Sequence, residues 1–530
     1  MFLKGDFMSD SHPYILVIDT GSSSMRGILF DSGGYMRFCE QRTYTMRTEG
    51  KSAEYDPADF ERCLVSICRA AADWLNEQSA QVEALSFTSQ RSSILPITSD
   101  GTPLCPIITW YDKRSADLAD QMNDQVGSEL FQLTGNYSFP VLSAPKIAWL
   151  RQNHPDLYKK AYKIIGIQDY LIYLCTGRFV TDSSLASRSH LMNIRTRRWD
   201  DDLLRIYQVD ADKLADLVEP CSIVGSITED FSRLTGLPKG TSVIAAGGDQ
   251  QCSVLGQGML RPGAIGLTCG SGSYLSALSD EPLMDEKVRV CVTTAINPGY
   301  WVMEASTLSS GTVQDWMNRT FFQEKPDPSS GPYDLRLLQA EAAKSPLGAR
   351  GLIMLPDLAG KGCPDWNEQA RGAFLNIGFD HTRSDFARAM LEGLAAEIAE
   401  CCQALSRLLP KVDSILITGG LTKSDLFNQM IADMIDFPIR KSSVRETTAI
   451  GAYLAAAYTL KRFPSLEDAY ASLPAQAETA PATQKQLFTP DKSATEEYQR
   501  LSLIRRRLYD ALAACDISPS TGFNEKGIRV

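Results

Sequence analysis

Twice along this chain an apolar run enters a turn of small polar residues and leaves it as a second apolar run. The first unit is YILVI at 14–18, the turn Asp19-Thr20-Gly21-Ser22-Ser23-Ser24, and GILF at 27–30. The second is GAIGLT at 263–268, the turn Cys269-Gly270-Ser271-Gly272, and YLSAL at 274–278. Short apolar runs bounded by turn-formers read as strands, so each unit is expected to be a β-hairpin that opens a sheet. After the first hairpin, Phe60, Leu64, Ile67, Ala71 and Leu75 share one face of a helix over 59–78, and residues 82–88 read as a strand. This alternation gives a mixed α/β layer architecture. Each hairpin opens about half of the chain, which suggests two related domains facing one another. The likeness is short and hairpins are common, so duplication stays open on this pattern alone.

The second half carries clear helices. Ser384 is placed to cap one that runs to about 409, along which Phe386, Met390, Leu394, Ile398, Cys401 and Leu405 recur at helical spacing. Pro410 stops it. A strand over 414–418, the pair Gly419-Gly420, a helix from about Ser424 and a small-residue helix over 447–460 follow. Ser493 and Glu496 read as a capping box for a last amphipathic helix with Tyr498, Leu501, Ile504 and Leu508. Arg505, Arg506 and Arg507 on that helix read as a solvated face. Residues 474–483 read as a surface connection and 518–530 as a loosely ordered end.

Composition excludes several classes. The 53 Lys and Arg stand against 64 Asp and Glu, a net charge of −11, so the chain lacks the field of a general nucleic-acid binder. Its 13 cysteines include no CxxC pair, and its four histidines include no HxxxH, which argues for reduced thiols and against a zinc centre. No run approaches a membrane span, and residues 1–13 lack a signal-peptide core, so the expected location is the cytoplasm. A length of 530 residues implies about two to four domains.

Four stretches pair small residues with groups that can carry chemistry. In Asp19–Ser24, glycine lets the backbone approach a ligand, successive N–H groups make an anion-binding concavity, and the carboxylate can hold a hydrated Mg²⁺ beside phosphates. A plain turn with a capping Asp uses the same residues. Gly247-Gly248-Asp249-Gln250-Gln251 follows an apolar strand, so Asp249 lies where ligand sites gather in α/β sheets and can accept a proton from an attacking hydroxyl. A loop Asp without a role is the alternative. Gly270-Ser271-Gly272-Ser273 and Thr418-Gly419-Gly420 are further turns, the latter before a helix and able to accommodate a flat base or ribose. No GxxxxGK[ST] occurs, which removes a Walker-type site, and the lack of a strand-following GxGxxG or a GxSxG gives little support to a dinucleotide fold and weakens an α/β-hydrolase reading.

Taken together in this order, IDTGSSSMRG, GGDQQ, LTCGSGSYL and ITGGLTKSDLFNQMIAD resemble the FGGY carbohydrate kinase family, over about 14–458. PKIAWLRQN, DYLIYLCTGRFVTDSSLAS and RAMLEGLAAEI match further landmarks of that family. The resemblance implies an α/β fold of two actin-like (ribonuclease H-like) domains flanking a nucleotide cleft, and makes duplication the expectation. The domains would be 14–258, for sugar and phosphates, and 259–512, for adenosine, with tails at 1–13 and 513–530. Asp249 would be the general base and Asp19 the residue that positions Mg²⁺, supplied with ATP. Gly21, Ser22, Ser23 and Arg26 would face the phosphates from one domain, and Gly270 and Ser271 from the other. Gly311 and Gln314 would line the nucleotide pocket, and Gly419, Gly420 and Ser424 would hold adenosine. Gln90, Arg91, Trp110, Asp249 and Gln250 match positions that contact the acceptor.

Departures bear on the acceptor. Glycerol kinases carry a Glu where this chain has Ser92 and a Tyr where it has Val141, so two hydrogen-bonding groups of the glycerol pocket are missing. Each unpaired buried substrate hydroxyl would cost about 1–3 kcal/mol. The expected reaction is transfer of the γ-phosphate of ATP to a hydroxyl of a small sugar or polyol, such as xylulose or a related pentulose or tetritol. Glycerol phosphorylation and a non-catalytic ATP- and sugar-binding regulator stand as alternatives. So does an ATPase acting on a protein partner, which the long acceptor-side segment from Gln90 to Arg114 disfavours. A homodimer is compatible with the sequence, and no nucleic acid or membrane partner is expected.

Overall fold

The computed structural model describes residues 13–287, 289–322, 335–442, 444, 446–474 and 486–515. Both hairpins form where the apolar runs place them. Strands β1 (Tyr14–Thr20) and β2 (Ser24–Phe30) pair antiparallel, with Asp19 opposite Arg26. With β3 (Met36–Thr43), β4 (Val82–Ser89), β5 (Ser222–Ser226) and β6 (Ser242–Gly248) they build a sheet of order β5-β6-β4-β1-β2-β3. Here β4 runs parallel to β1, β6 parallel to β4, and β5 antiparallel to β6. The middle strands are buried along nearly their whole length, as continuous apolar runs covered on both faces must be.

The second sheet repeats this order. It contains β7 (Ala264–Cys269), β8 (Ser273–Ser279), β9 (Cys291–Thr294), β10 (Trp301–Ser306), β11 (Ser414–Thr418), β12 (Ile439–Lys441) and β13 (Leu487–Phe488), arranged β9-β10-β8-β7-β11-β12-β13. Strand β11 is parallel to β7 and β12 to β11, while β13 is antiparallel to β12. Six strands therefore correspond in order and direction between the sheets, and β9 is an addition at one edge. That correspondence is far harder to reach by chance than two similar turns.

Helices cover the sheets where the periodicity puts them, with shifted caps. Helix α1 (Pro57–Glu77) starts at Asp56, which accepts from Ala58 N, and buries Phe60, Leu64, Ile67, Ala71 and Leu75 against the first sheet. The helix expected to begin at Ser384 is α5 (Arg383–Leu408), capped by Thr382 with Asp385 closing the box. Ser384 lies inside it and bonds Glu341. The last helix, α8 (Lys492–Ala513), is capped by Asp491 rather than Ser493. Arg505 on it is buried, correcting the solvated face: its guanidinium donates to Met354 O beneath α5, and only Arg507 of the three arginines is exposed. A periodicity of charge cannot show that a strand distant in sequence, Ile353–Leu355, offers a carbonyl. Of the connection expected at 474–483, all but Pro474 lies outside the described residues, as do 1–12 and 516–530 of the tails.

Two helices join the halves. Helix α3 (Asp249–Gly256) follows β6, and α7 (Thr447–Thr459) follows β12. They cross at glycines: a Cβ on Gly256 would lie 1.9 Å from Thr447 O, and one on Gly451 would lie 1.8 Å from Cys252 O. Helix α7 also packs its alanines on Ile15, Val17, Phe30, Ala84 and Ile244 of the first sheet, although it comes from the second half of the sequence.

Candidate active site

Both hairpin turns are held from behind by their carbonyls. Gly21 O accepts from Gln90 Nε2 at 2.8 Å and from Tyr44 OH, and Ser22 O accepts from Tyr55 OH at 2.6 Å. On the other side, Ser271 O accepts from Ser310 N at 2.7 Å and Gly270 O from Gly311 N at 3.0 Å, at the start of helix α4 (Gly311–Met317). Among the described residues the N–H groups of Ser22, Ser23 and Ser271 donate to no protein acceptor, and all three residues are exposed. Tying back the carbonyls leaves donors outward, which is the polarity an anion needs. Gly311 allows the second turn its close seat, since a Cβ there would stand 2.6 Å from Gly270 O.

Asp19 ends β1 and is buried, and its Oδ2 accepts from Arg26 Nη2 at 2.5 Å. Burial pushes the Asp19 carboxyl up, against the pull of Arg26. The same guanidinium donates to Glu446, which precedes α7, so Arg26 bridges the two sides. Gln314 is wholly buried on α4 with neither amide atom partnered. Gly419 sits at φ +105°, and a Cβ would meet Cys269 O at 2.3 Å, whereas Gly420 faces open space. Ser424 Oγ accepts from Phe427 N at 3.3 Å, so that oxygen is engaged in capping helix α6 (Asp425–Ile435).

Asp249 is the first residue of α3. A buried chain fixes it: Gln168 Nε2 donates to Asp182 at 2.7 Å, Asp182 accepts from Ser184 Oγ at 2.5 Å, and Ser184 Oγ accepts from Gly248 N at 2.9 Å. Gly247, at φ +129°, supplies a backbone geometry that other residues rarely adopt. Asp249 Oδ1 accepts from Gln250 N at 2.7 Å and lies 3.7 Å from Arg91 Nε. Burial raises this carboxyl to about 6; Arg91 opposes the rise and Asp19 adds to it. Trp110 donates its N–H to Ser93 Oγ at 3.2 Å and packs edge-on against Tyr111. Gln90 is anchored to the first turn, as above, with its Oε1 buried and unpartnered.

Arg91 is not free. Its two terminal nitrogens donate to Glu304 at 2.7 and 3.0 Å across the interface, and Glu304 also accepts from Thr293 Oγ1 at 3.0 Å and Gln251 Nε2 at 3.3 Å. Despite its burial, Glu304 is held below the usual carboxylate range by Arg91. Glu304, Glu446, Tyr44, Tyr55 and Arg188 belong to this site and were not found from sequence. Only the capping position of Glu446 before a helix carries a local signal. A cavity of about 50 Å³ behind Gln90 and Ser92, lined also by Asp169 and Thr181, holds a water or two and no sugar. No group of three or more His, Cys, Asp and Glu side chains able to hold a metal occurs among the described residues. Asp19 and the nearby Asp249 suit a hydrated Mg²⁺ that brings phosphate ligands of its own. No described helix is long and apolar enough to cross a membrane.

Known proteins are similar to this chain. Residues 14–256 match the N-terminal domain, and 266–460 the C-terminal domain, of the FGGY family of carbohydrate kinases. A gluconokinase of Bacillus licheniformis is 28% identical over 86% of this chain and 89% of its own length. A glycerol kinase of Koribacter versatilis is 30% identical over 83% and 88%. The crystal structure of a ligand-bound xylulose kinase from Lactobacillus acidophilus superposes with a TM-score of 0.86, at 24% identity, over 94% of this chain and 98% of that one.

Proposed function

We propose a mechanism from one premise: this chain belongs to the FGGY family of carbohydrate kinases. It is a phosphotransferase that moves a phosphate from ATP to a hydroxyl of a sugar or polyol. The finer reading assigns residues. The phosphates lie between the turns, against the outward amides of Ser22, Ser23 and Ser271, with Arg26 beside them. Gly311, Gln314, Gly419, Gly420 and Ser424 line the nucleoside end. Gln314 supports this, because a buried amide without partners is a lasting penalty of about 1–3 kcal/mol unless a ligand relieves it. The division into 14–258 and 259–512 is retained for the two binding roles, with α7 reaching back onto the first sheet.

The acceptor sits by Gln90, Arg91, Trp110 and Gln250. Asp249 takes its hydroxyl proton as that oxygen forms a bond to the γ-phosphorus, and the bond from that phosphorus to the β–γ bridging oxygen breaks to release ADP. Phosphoryl transfer has a loose transition state, so positioning and charge stabilisation carry most of the rate. A Mg²⁺ arriving with ATP, held by Asp19, would neutralise phosphate charge there. Arg26 loosens from Asp19 to make room, and its second partner Glu446 keeps it in the cleft.

The observation that carries the reading is Asp249 in the gap, ionisable near neutrality and 3.7 Å from Arg91. ADP release is measured with ATP and a panel of ketoses, polyols and sugar acids. Acceptor-dependent release is expected. Release without any acceptor points to an ATPase, and no release with the whole panel removes the kinase assignment for this chain.

A further inference from the structure

Next to Arg91 stands a second guanidinium that the mechanism above does not use. Arg188 follows the short helix Ser183–Ala186, and its carbonyl accepts from Ser92 Oγ at 3.3 Å, in the segment that also carries Gln90 and Arg91. Its side chain is half-buried beside Arg91, Glu304 and the Cys291 thiol. No ion pair joins it to any carboxylate among the described residues, and its Nε is buried without a partner. Glu304 cannot serve it as well. Its oxygens already accept two bonds from Arg91, one from Thr293 and one from Gln251, about the full capacity of a carboxylate. Asp112 is filled by Arg114 and Ala53 N, and Asp182 by Gln168 and Ser184. The nearest further cation, Lys146, is ligated only by the carbonyls of Pro140, Val141 and Leu142.

Arg188 is therefore a guanidinium at the acceptor end of the cleft that no carboxylate among the described residues pairs. Burial and the like charge of Arg91 push Arg188 below its ordinary range, as expected of a cation lacking its counter-ion. Folded proteins pair such charges, and a guanidinium fork matches a carboxylate in particular. Position 92 could have carried that carboxylate and carries Ser92 instead.

We propose that Arg188 reads a carboxylate on the acceptor, so that the substrate class is an aldonate, an open-chain sugar acid, in preference to a neutral ketose or polyol. This rests on the kinase reading of the cleft. The group that gives up its proton to Asp249 is a hydroxyl of the same molecule, and the carboxylate takes no part in bond making.

The test compares acids with the alcohols of the same carbon chain: gluconate against glucitol, and xylonate against xylitol. Xylulose serves as the neutral ketose. Binding is followed by calorimetric titration of the full chain with a non-hydrolysable ATP analogue present, so it does not depend on turnover. The aldonates are expected to bind at least ~10-fold more tightly than their alditols, the worth of a charge-assisted hydrogen bond. Arg188→Met is expected to abolish that ratio and Arg188→Lys to restore part of it. Ser92→Glu, which supplies an internal partner, is expected to lower it without removing the arginine. Equal or tighter binding of the neutral compounds by the unmodified chain overturns the proposal, whatever the variants do. So does an equal loss for acid and alcohol in Arg188→Met, which would place the guanidinium on the transferred phosphate. If aldonates bind but no acceptor on the panel releases ADP, the kinase reading fails and the carboxylate site stands.

Discussion

The two sheets of this protein have one strand order and opposite chemical endowments. At the end of β1 stand Asp19, Thr20 and Gly21, and at the end of β7 stand Thr268, Cys269 and Gly270. The helix after β6 begins with Asp249, and the helix after β12 begins with Thr447, whose hydroxyl bonds Ser253 at 2.9 Å. Each strand end thus has a counterpart, but at these matching positions only the first side carries aspartates; the second side's acids at the site are Glu304 and Glu446. The second side contributes a turn of outward amides, a buried unpartnered Gln314 and glycines that clear space. On the reading proposed above, the first side is the reacting half and the second the gripping half.

That division can be broken most directly at Asp249. Asp249→Asn is expected to lower turnover by at least ~10²-fold, with the nucleotide still bound, because general-base assistance contributes about that much. Turnover near that of the unmodified chain would remove the asymmetry. With this carboxyl at about 6, kcat/KM is expected to rise with pH up to about that value and level off above it. Stability runs the other way. A carboxyl raised above its unfolded value binds more protons when folded, so the folded state loses stability as pH rises from about 4 through 6. At pH 8 Asp249→Asn should therefore be the more stable protein by up to about 3 kcal/mol, a gain that vanishes toward pH 4. Denaturant midpoints of the two proteins at both pH values check this.

Glu304→Gln tests whether the gripping half also orients the reacting one. It leaves Arg91 buried with one neutral partner, a loss of about 3–5 kcal/mol where a buried pair is broken. Arg91 should then turn toward Asp249, and the acidic limb of kcat/KM should move to lower pH. A purely structural role would cost stability and leave the limb in place. Gly451→Ala drives a Cβ into Cys252 O where α3 and α7 cross and should destabilise by at least ~1–3 kcal/mol in a denaturant titration. Asp19→Ala should make the smallest change in fold and raise the Mg²⁺ concentration needed for half-maximal turnover; an unchanged Mg²⁺ titration removes that assignment.

Much of this was legible along the chain. The apolar runs located β1, β2, β7 and β8, and the stripe from Phe60 to Leu75 located α1. Asp249 stood out because it follows an apolar strand and two glycines, a pattern that a loop Asp without a role also fits, and its proposed role came from the family resemblance. Caps were misplaced by two residues at Ser384 and Ser493, since several polar residues compete to cap each helix and local geometry chooses Thr382 and Asp491. Glu304 was not legible: in WVMEAS it is one polar residue of a strand, and its partner Arg91 lies 213 residues away. Arg505 read as surface because its acceptor, Met354 O, belongs to the strand Ile353–Leu355, 151 residues away along the chain.

By itself, the order of residues determined the elements, their faces and the turns that can meet an anion, because periodicity, propensity and glycine freedom act over a few neighbouring residues. Tertiary structure decided which charges are neutralised and which are left waiting: Arg91 pairs with Glu304, Arg26 ties Asp19 to Glu446, and Arg188 finds no acid among the described residues. Coulomb interactions and desolvation depend on distance and burial in space, and two residues hundreds of positions apart acquire both only when the sheets come together.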